Sequence, residues 1–214
     1  VDGVRGGWVA VEWAGANAQP KRFNSVEQIV LHFGSNARIA VDMPIGLLDH
    51  AHAGGRECEK QARRALPGRA SSVFSSPCRR AVLEARSFQE ACRINAESSP
   101  DRKKITQQAW GIFPKLREID SLVTADIQDR VFEVHPELCF AALRQEVAPS
   151  EQRYQNLGPK RNRVGQGLRK ELLERAGFQN LDKVLSNRRQ LQAQIDDVLD
   201  ACVSAWTARR TISG

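Results

Sequence analysis

Val1-Asp2-Gly3-Val4-Arg5-Gly6-Gly7-Trp8-Val9-Ala10-Val11-Glu12-Trp13 is the stretch on which the fold turns. Trp8, Val9, Val11 and Trp13 make a β-rich run. Glycines at 3, 6 and 7 permit the positive φ of a reversal too short to contain a helix. The reading is a β-hairpin whose first strand ends in a carboxylate, Asp2. A carboxylate at a strand end becomes a metal ligand if others reach it. The chain opens on Val1 rather than methionine, so a few residues of the first strand are expected to precede it.

Outward from the hairpin, Lys21-Arg22-Phe23 suits a short third strand, and Ser25 with Gln28 forms a capping box. The helix it opens carries Val26, Ile29, Val30 and Phe33 at helical spacing and stops at Gly34. Ile39-Ala40-Val41 then reads as a buried strand of the parallel kind, closed by Pro44 and Gly46. Asp42 stands at its C-terminal end, where open α/β sheets place ligands; the plainer alternative is an Asp that caps a turn. No strand is predicted over 54–125, where helices are expected at 56–66, 79–97 and 115–124. Between the breaks Pro67-Gly68 and Ser75-Ser76-Pro77 lies a polar loop with one aromatic, Phe74. Arg69, Ser71 and Ser72 could grip a phosphate there while Phe74 stacks on a base, or the loop is a connector with Phe74 in the core.

Residues 131–135 alternate in period two, so Glu133 and His135 should share one face of a strand. Pro136 starts a helix to about Leu143. His135 reads more readily as a structural histidine than as a catalyst. Gly158-Pro159-Lys160-Arg161 is expected to be a flexible basic loop, followed by a helix bearing Leu168, Leu172, Leu173 and Ala176 that ends at Gly177. A last helix over 191–211 sets Ile195, Val198, Leu199, Cys202, Val203 and Trp206 in one apolar stripe. Asp196 and Asp200 flank that stripe and Asp197 lies nearer the opposite side. Three acids this close repel one another, and a cation would relieve them.

Composition narrows the class. At 41% hydrophobic and 27% charged, 214 residues suit one soluble domain or one domain with a large insertion. No apolar run nears the roughly 18 residues that span a bilayer, and no signal-peptide pattern is present, so no membrane partner is expected. Five cysteines without a Cys-x-x-Cys pair argue against a disulfide framework and a zinc ribbon, and suit a reducing cytoplasm. His50, His52 and Cys58 lack a fourth zinc ligand at recognisable spacing. The net charge of +7 is concentrated: residues 56–104 carry twelve Lys/Arg against six Asp/Glu, and residues 153–175 carry seven against two. Basic segments set apart from the candidate acids suit a polyanion held beside an acidic centre, though a solvated basic surface would look the same.

Six motifs run in order along the chain: Asp2-Gly3-x-Arg5-Gly6-Gly7-Trp8, Val41-Asp42-Met43-Pro44-Ile45-Gly46-Leu47, Arg69-x-Ser71-Ser72-Val73-Phe74-x-x-Pro77-x-Arg79, Gln107-x-x-x-Gly111-x-x-Pro114-Lys115, Glu133-Val134-His135-Pro136-Glu137 and Asp196-Asp197-x-x-Asp200-Ala201. Together they resemble a family of predicted nucleases with a ribonuclease H-like fold, catalogued as domain of unknown function 429. The resemblance spans essentially the whole chain. It implies an α/β fold with a ribonuclease H-like mixed sheet, antiparallel over the first three strands and then parallel. Helices would flank the sheet, with a large helical basic insertion at about 54–125. The Asp197-x-x-Asp200-Ala201 pattern also resembles the terminal-helix acids of Holliday-junction resolvases.

By that analogy Asp2, Asp42, Asp197 and Asp200 form the metal set, with Asp196 a rival to Asp197 and Glu133 a further catalytic candidate. The implied activity is hydrolysis of DNA or RNA phosphodiesters by two hard cations, Mg²⁺ or Mn²⁺, with Asp2 bridging. Arg5, Arg69, Ser71, Ser72, Phe74, Arg79, Lys115, Lys160 and Arg161 are the candidate substrate contacts. Two other classes compete: an actin-like ATP-binding phosphotransferase relative would need a second such domain, and a non-catalytic nucleic-acid-binding module would bind without cutting.

Overall fold

The computed structural model describes residues 1–212. In chain order it contains β1 (Asp2–Val4), β2 (Gly7–Ala14), β3 (Asn17–Phe23), α1 (Val26–Phe33), β4 (Ile39–Val41), α2 (Glu57–Ala65), α3 (Arg79–Glu84), α4 (Phe88–Ser98), α5 (Gln107–Gly111), α6 (Phe113–Leu122), β5 (Val131–Glu133), α7 (Pro136–Val147), α8 (Arg163–Arg175), α9 (Leu181–Ser186) and α10 (Ile195–Arg210). Short 3₁₀ turns lie at Ala70–Ser72, Gln152–Tyr154 and Asn187–Arg189. The chain divides into two compact units, one of residues 1–42 and 127–214 and the other of residues 43–126.

The first unit holds all five strands. An antiparallel sheet runs β1-β2-β3, and a parallel pair joins β4 to β5. Asp2 pairs with Val9 and Val4 with Gly7, which leaves Arg5-Gly6 as the two-residue connection, with Gly6 at φ 68°. Gly3 sits within the strand opposite Trp8 and turns nothing, and Asp2 opens β1 rather than ending it. Gly7 serves close approach, because a Cβ there would come 2.4 Å from the Phe23 carbonyl oxygen. β3 is longer than the expected three residues, since its pairing with β2 extends back to Asn17.

Two backbone hydrogen bonds carry β1 to β4. The Val1 nitrogen donates to the Ala40 carbonyl at 2.8 Å, and the Asp42 amide donates to the Val1 carbonyl at 2.9 Å. That pair of bonds is what a parallel bridge between Val1 and Val41 makes. The strands therefore neighbour one another in the order β3-β2-β1-β4-β5. Asp2 and Asp42, each one residue further on, fall opposite one another.

β5 ends earlier than its alternating sequence suggests. Pro136 takes the first turn of α7 and His135 becomes that helix's N-cap residue, so Glu133 stays in the strand and His135 lies beyond it. The last helix also differs from expectation. It begins at Ile195, and residues Val198 to Ser204 are all buried, so α10 is enclosed rather than laid down on one apolar stripe. It packs on β1, β2, β4, α7 and α8, and Val198, Leu199, Cys202, Val203 and Trp206 share one core with Val9, Phe140, Leu172 and Phe178. At roughly 25 cal/mol per Å² this all-round burial fixes the helix strongly, and with it every acid on its first turns.

The second unit is helical. Its expected helix over 79–97 is two, α3 and α4, because Ser87 caps a new start: its hydroxyl accepts from the Glu90 amide at 3.2 Å and Glu90 accepts from the Arg86 amide at 2.8 Å. Thr106 likewise caps α5, which the sequence reading omits, accepting from the Ala109 amide at 3.1 Å. Arg117 on α6 donates to the carbonyls of Val82 and Ala85 at 2.6 and 2.8 Å and so satisfies the end of α3. All five cysteines are free thiols. No helix among the described residues is long and apolar enough to cross a membrane.

Candidate metal centre

The parallel bridge places Asp2 beside Asp42, and the buried helix α10 brings Asp200 to them. One oxygen of each carboxylate lies within 4.8 Å of the other two. Among the described residues this is the one group of three or more His, Cys, Asp or Glu side chains close enough to share an ion, so His50, His52 and Cys58 form no such site. Asp2 is buried, Asp42 half-buried and Asp200 wholly buried.

Burial raises the proton affinity of all three carboxylates, and neighbouring acids add to it at Asp2 and Asp42. Burial first, then the charges of Asp42, Asp200 and Asp197, hold Asp2 well above the usual carboxylate range. Burial and then Asp200 push Asp42 up to about 7, and burial pushes Asp200 to about 6 against the opposing pull of Lys160. Lys160 is the local counter-charge: its ammonium donates to Asp200 Oδ2 at 2.6 Å. Burial alone would lower the Lys160 pKa, but Asp200, Asp2 and Asp42 together outweigh it and keep the ammonium charged. The other oxygen of Asp200, Oδ1, is buried without a hydrogen-bond partner among the described residues. A buried carboxylate oxygen left bare costs about 1–3 kcal/mol or more, so the position makes chemical sense if a cation completes it. Hard oxygen donors without a histidine or thiolate match Mg²⁺ or Mn²⁺.

Neither Asp196 nor Asp197 belongs to the triad. Asp197 folds back to accept from the Gln194 amide at 2.8 Å, the capping-box bond of its own helix, and influences Asp2 only by its charge. Asp196 is buried with Arg161 Nε 3.6 Å away. The helical angle that favoured Asp196 over Asp197 is overridden by local chemistry, because both acids stand in the first turn, where free amides and the basic loop claim them. Glu133 pairs in register with Val41 and adds its charge to the field on Asp42.

The candidate substrate contacts scatter. Lys160 and Arg161 are at the acids of α10, Lys160 hydrogen-bonded to Asp200 and Arg161 ion-paired with Asp196. Their loop is pinned rather than flexible: Arg169, wholly buried on α8, donates to the carbonyls of Leu157, Gly158 and Gly165 at 3.3, 3.3 and 3.0 Å and to Glu137 at 2.7 Å. The sequence reading omits Arg169, although an arginine between Leu168 and Leu172 on an apolar helix face was a visible sign of a buried cation needing a partner. Arg5 is exposed at the hairpin tip, where its carbonyl accepts from Arg22 at 3.0 Å. Arg69, Ser71, Ser72, Phe74, Arg79 and Lys115 belong to the helical unit. There Ser72 donates to the Arg69 carbonyl at 2.8 Å, Arg79 pairs with Asp120 at 3.0 Å, Phe74 is half-buried and Lys115 lies on α6.

A family model described as "Protein of unknown function (DUF429)" matches residues 1–214. The chain belongs to this family. The match takes in every member of the triad, both flanking acids of α10 and Lys160. Comparison of this DUF429 chain with curated proteins and with solved structures returned no match.

Proposed function

We propose that this DUF429 protein is a metal-dependent hydrolase of nucleic-acid phosphodiesters, built on a ribonuclease H-like fold. The observation that carries the reading is the triad of Asp2, Asp42 and Asp200 within 4.8 Å, with Asp200 Oδ1 buried and bare. The fold reading is supported by the strand order β3-β2-β1-β4-β5 with a terminal helix bringing an acid to the β1/β4 junction. The nucleic-acid reading is supported by the net charge of +7 and by Lys160 and Arg161 standing at the acids themselves.

One or two divalent cations bound by Asp2, Asp42 and Asp200 would supply Lewis acidity toward water and the phosphodiester. The chain's own groups do the rest. Asp200 Oδ1 offers an open lone pair, while its Oδ2 is steadied by Lys160. Asp2 lies in the field of both partners and of Asp197, which fits a role between the other two. Arg161 and Lys160 carry positive charge to the rim, where a phosphate would be oriented.

Purified protein with Mg²⁺ or Mn²⁺ should cut at least one of a panel of single-stranded, duplex, hybrid and branched substrates. Asp200→Asn should abolish cutting and also remove the Mn²⁺ binding heat seen by calorimetry. Cleavage that survives this substitution refutes the assignment, and binding without cleavage in the wild type would indicate a non-catalytic module.

A further inference from the structure

The helical unit contains a cleft of about 490 Å³ that the metal centre does not use. Val73, Phe74, Pro77 and Ile105 give it an apolar floor, and Lys103 and Lys104 stand at its edge. No carboxylate lines it. Both lysines are exposed, and among the described residues neither ammonium is held in an ion pair. Arg102 just before them adopts φ 52°, a left-handed conformation uncommon outside glycine, which sets the basic segment's course.

The walls are fixed by buried polar groups. Arg63 donates to the Val73 carbonyl at 2.9 Å, to the Gly54 carbonyl at 2.5 Å and to Ser75 at 2.9 Å. Asn95, buried, accepts from the Cys78 amide at 2.8 Å and donates to the Lys103 carbonyl at 2.8 Å. One side chain thus locks the lysine segment to the far end of the Phe74 loop. Phe74 itself is half-buried, with no ring partner among the described residues. An apolar floor with an available aromatic face, edged by exposed cations, complements a planar apolar group joined to an anion. A nucleotide has that chemistry, and the volume suits one unit rather than a duplex.

We propose that this cleft holds one unstacked nucleotide of a single-stranded nucleic acid, its base against Phe74 and its phosphate at Lys103 and Lys104. The inference rests on the nucleic-acid half of the proposed function and is independent of cleavage. The test is fluorescence anisotropy on the full chain in EDTA, with short labelled single strands of DNA and of RNA and the matching duplexes, across a salt series. Single strands should bind more tightly than duplex. Lys103→Gln with Lys104→Gln should weaken binding about tenfold or more and flatten the log–log salt slope by about 0.7, for the one phosphate the pair contacts. Phe74→Leu should weaken it by about fivefold or more with the salt slope unchanged.

Arg188→Gln with Arg189→Gln removes the same charge elsewhere and should change affinity little. An equal loss in that control, unaltered binding by the lysine pair, or equal affinity for duplex would overturn the cleft. Binding that follows the cleft variants in a wild-type protein that never cuts would leave the cleft standing and refute the hydrolase. Cleavage with cleft variants that bind as the wild type does would refute the cleft alone.

Discussion

Asp42→Asn should stabilise the metal-free protein, and by an amount that grows with pH. Folded Asp42 titrates at about 7 against an ordinary value of 3.8. Between those two pH values the native state keeps a proton that the unfolded chain has released. The contribution of Asp42 to stability is therefore intact below about pH 4 and is lost as pH rises through about 7. At about 1.4 kcal/mol per pH unit the full loss is about 4 kcal/mol. Asp42 is only half-buried, so water access reduces this to about 2–3 kcal/mol.

Asparagine matches the protonated acid in shape and carries no charge, so it should recover that loss. For a chain of this length, about 2–3 kcal/mol corresponds to a Tm increase of about 4–12 °C at pH 8. The gain should shrink to about a third at pH 5. Thermal and urea unfolding in EDTA at both pH values reads it directly. The proposed function further expects Mn²⁺ to raise the wild-type Tm at pH 8 and this variant to lose that increase. An Asp42→Asn protein that is less stable than wild type at pH 8, or whose advantage is the same at pH 5, would refute the claim that burying this charge beside Asp200 opposes folding.

Lys160→Met removes the counter-charge of Asp200 and should lower metal-free stability by about 1–3 kcal/mol, moderated because the lysine side chain is 40% exposed. Mn²⁺ should restore most of that loss in urea titrations, and a loss indifferent to Mn²⁺ would speak against a cation at Asp200. Arg169→Met removes the buried guanidinium that binds Glu137 and the carbonyls of Leu157, Gly158 and Gly165 and should cost about 3–5 kcal/mol. It should also make the chain more sensitive to limited proteolysis near Gly158–Arg161, and unchanged cutting there would mean that the loop is held by other contacts.

What the sequence made legible follows from which forces are local. The hairpin, the strand Ile39–Val41, the Pro136 start and the apolar periodicity of the last helix depend on turn chemistry and patterning within a few residues. Asp2, Asp42 and Asp200, which the family resemblance implied together with Asp197, lie within 4.8 Å of one another because β1, β4 and α10 converge. The choice between Asp196 and Asp197 was not legible, since it depends on a cap at Gln194 and on an arginine far along in the basic loop. Nor could periodicity show that Lys160 reaches Asp200, because that contact exists only once α8 and Arg169 have pinned the loop. The break between α3 and α4 was available in Ser87-x-x-Glu90 and was outweighed by the continuity of the surrounding helical pattern.

The three acids of the triad come from near the start of the chain, from the end of β4 and from its last helix. A ribosome must therefore make every residue from Asp2 to Asp200 before the three carboxylates can meet. Until α10 emerges, the sheet lacks the helix that covers it and the first two carboxylates lack their third partner. Long-range closure of this kind is slow and leaves apolar surface open meanwhile. Under the proposed function, a product truncated before Ile195 would carry two of the three acids and should bind Mn²⁺ more weakly than the chain that includes α10.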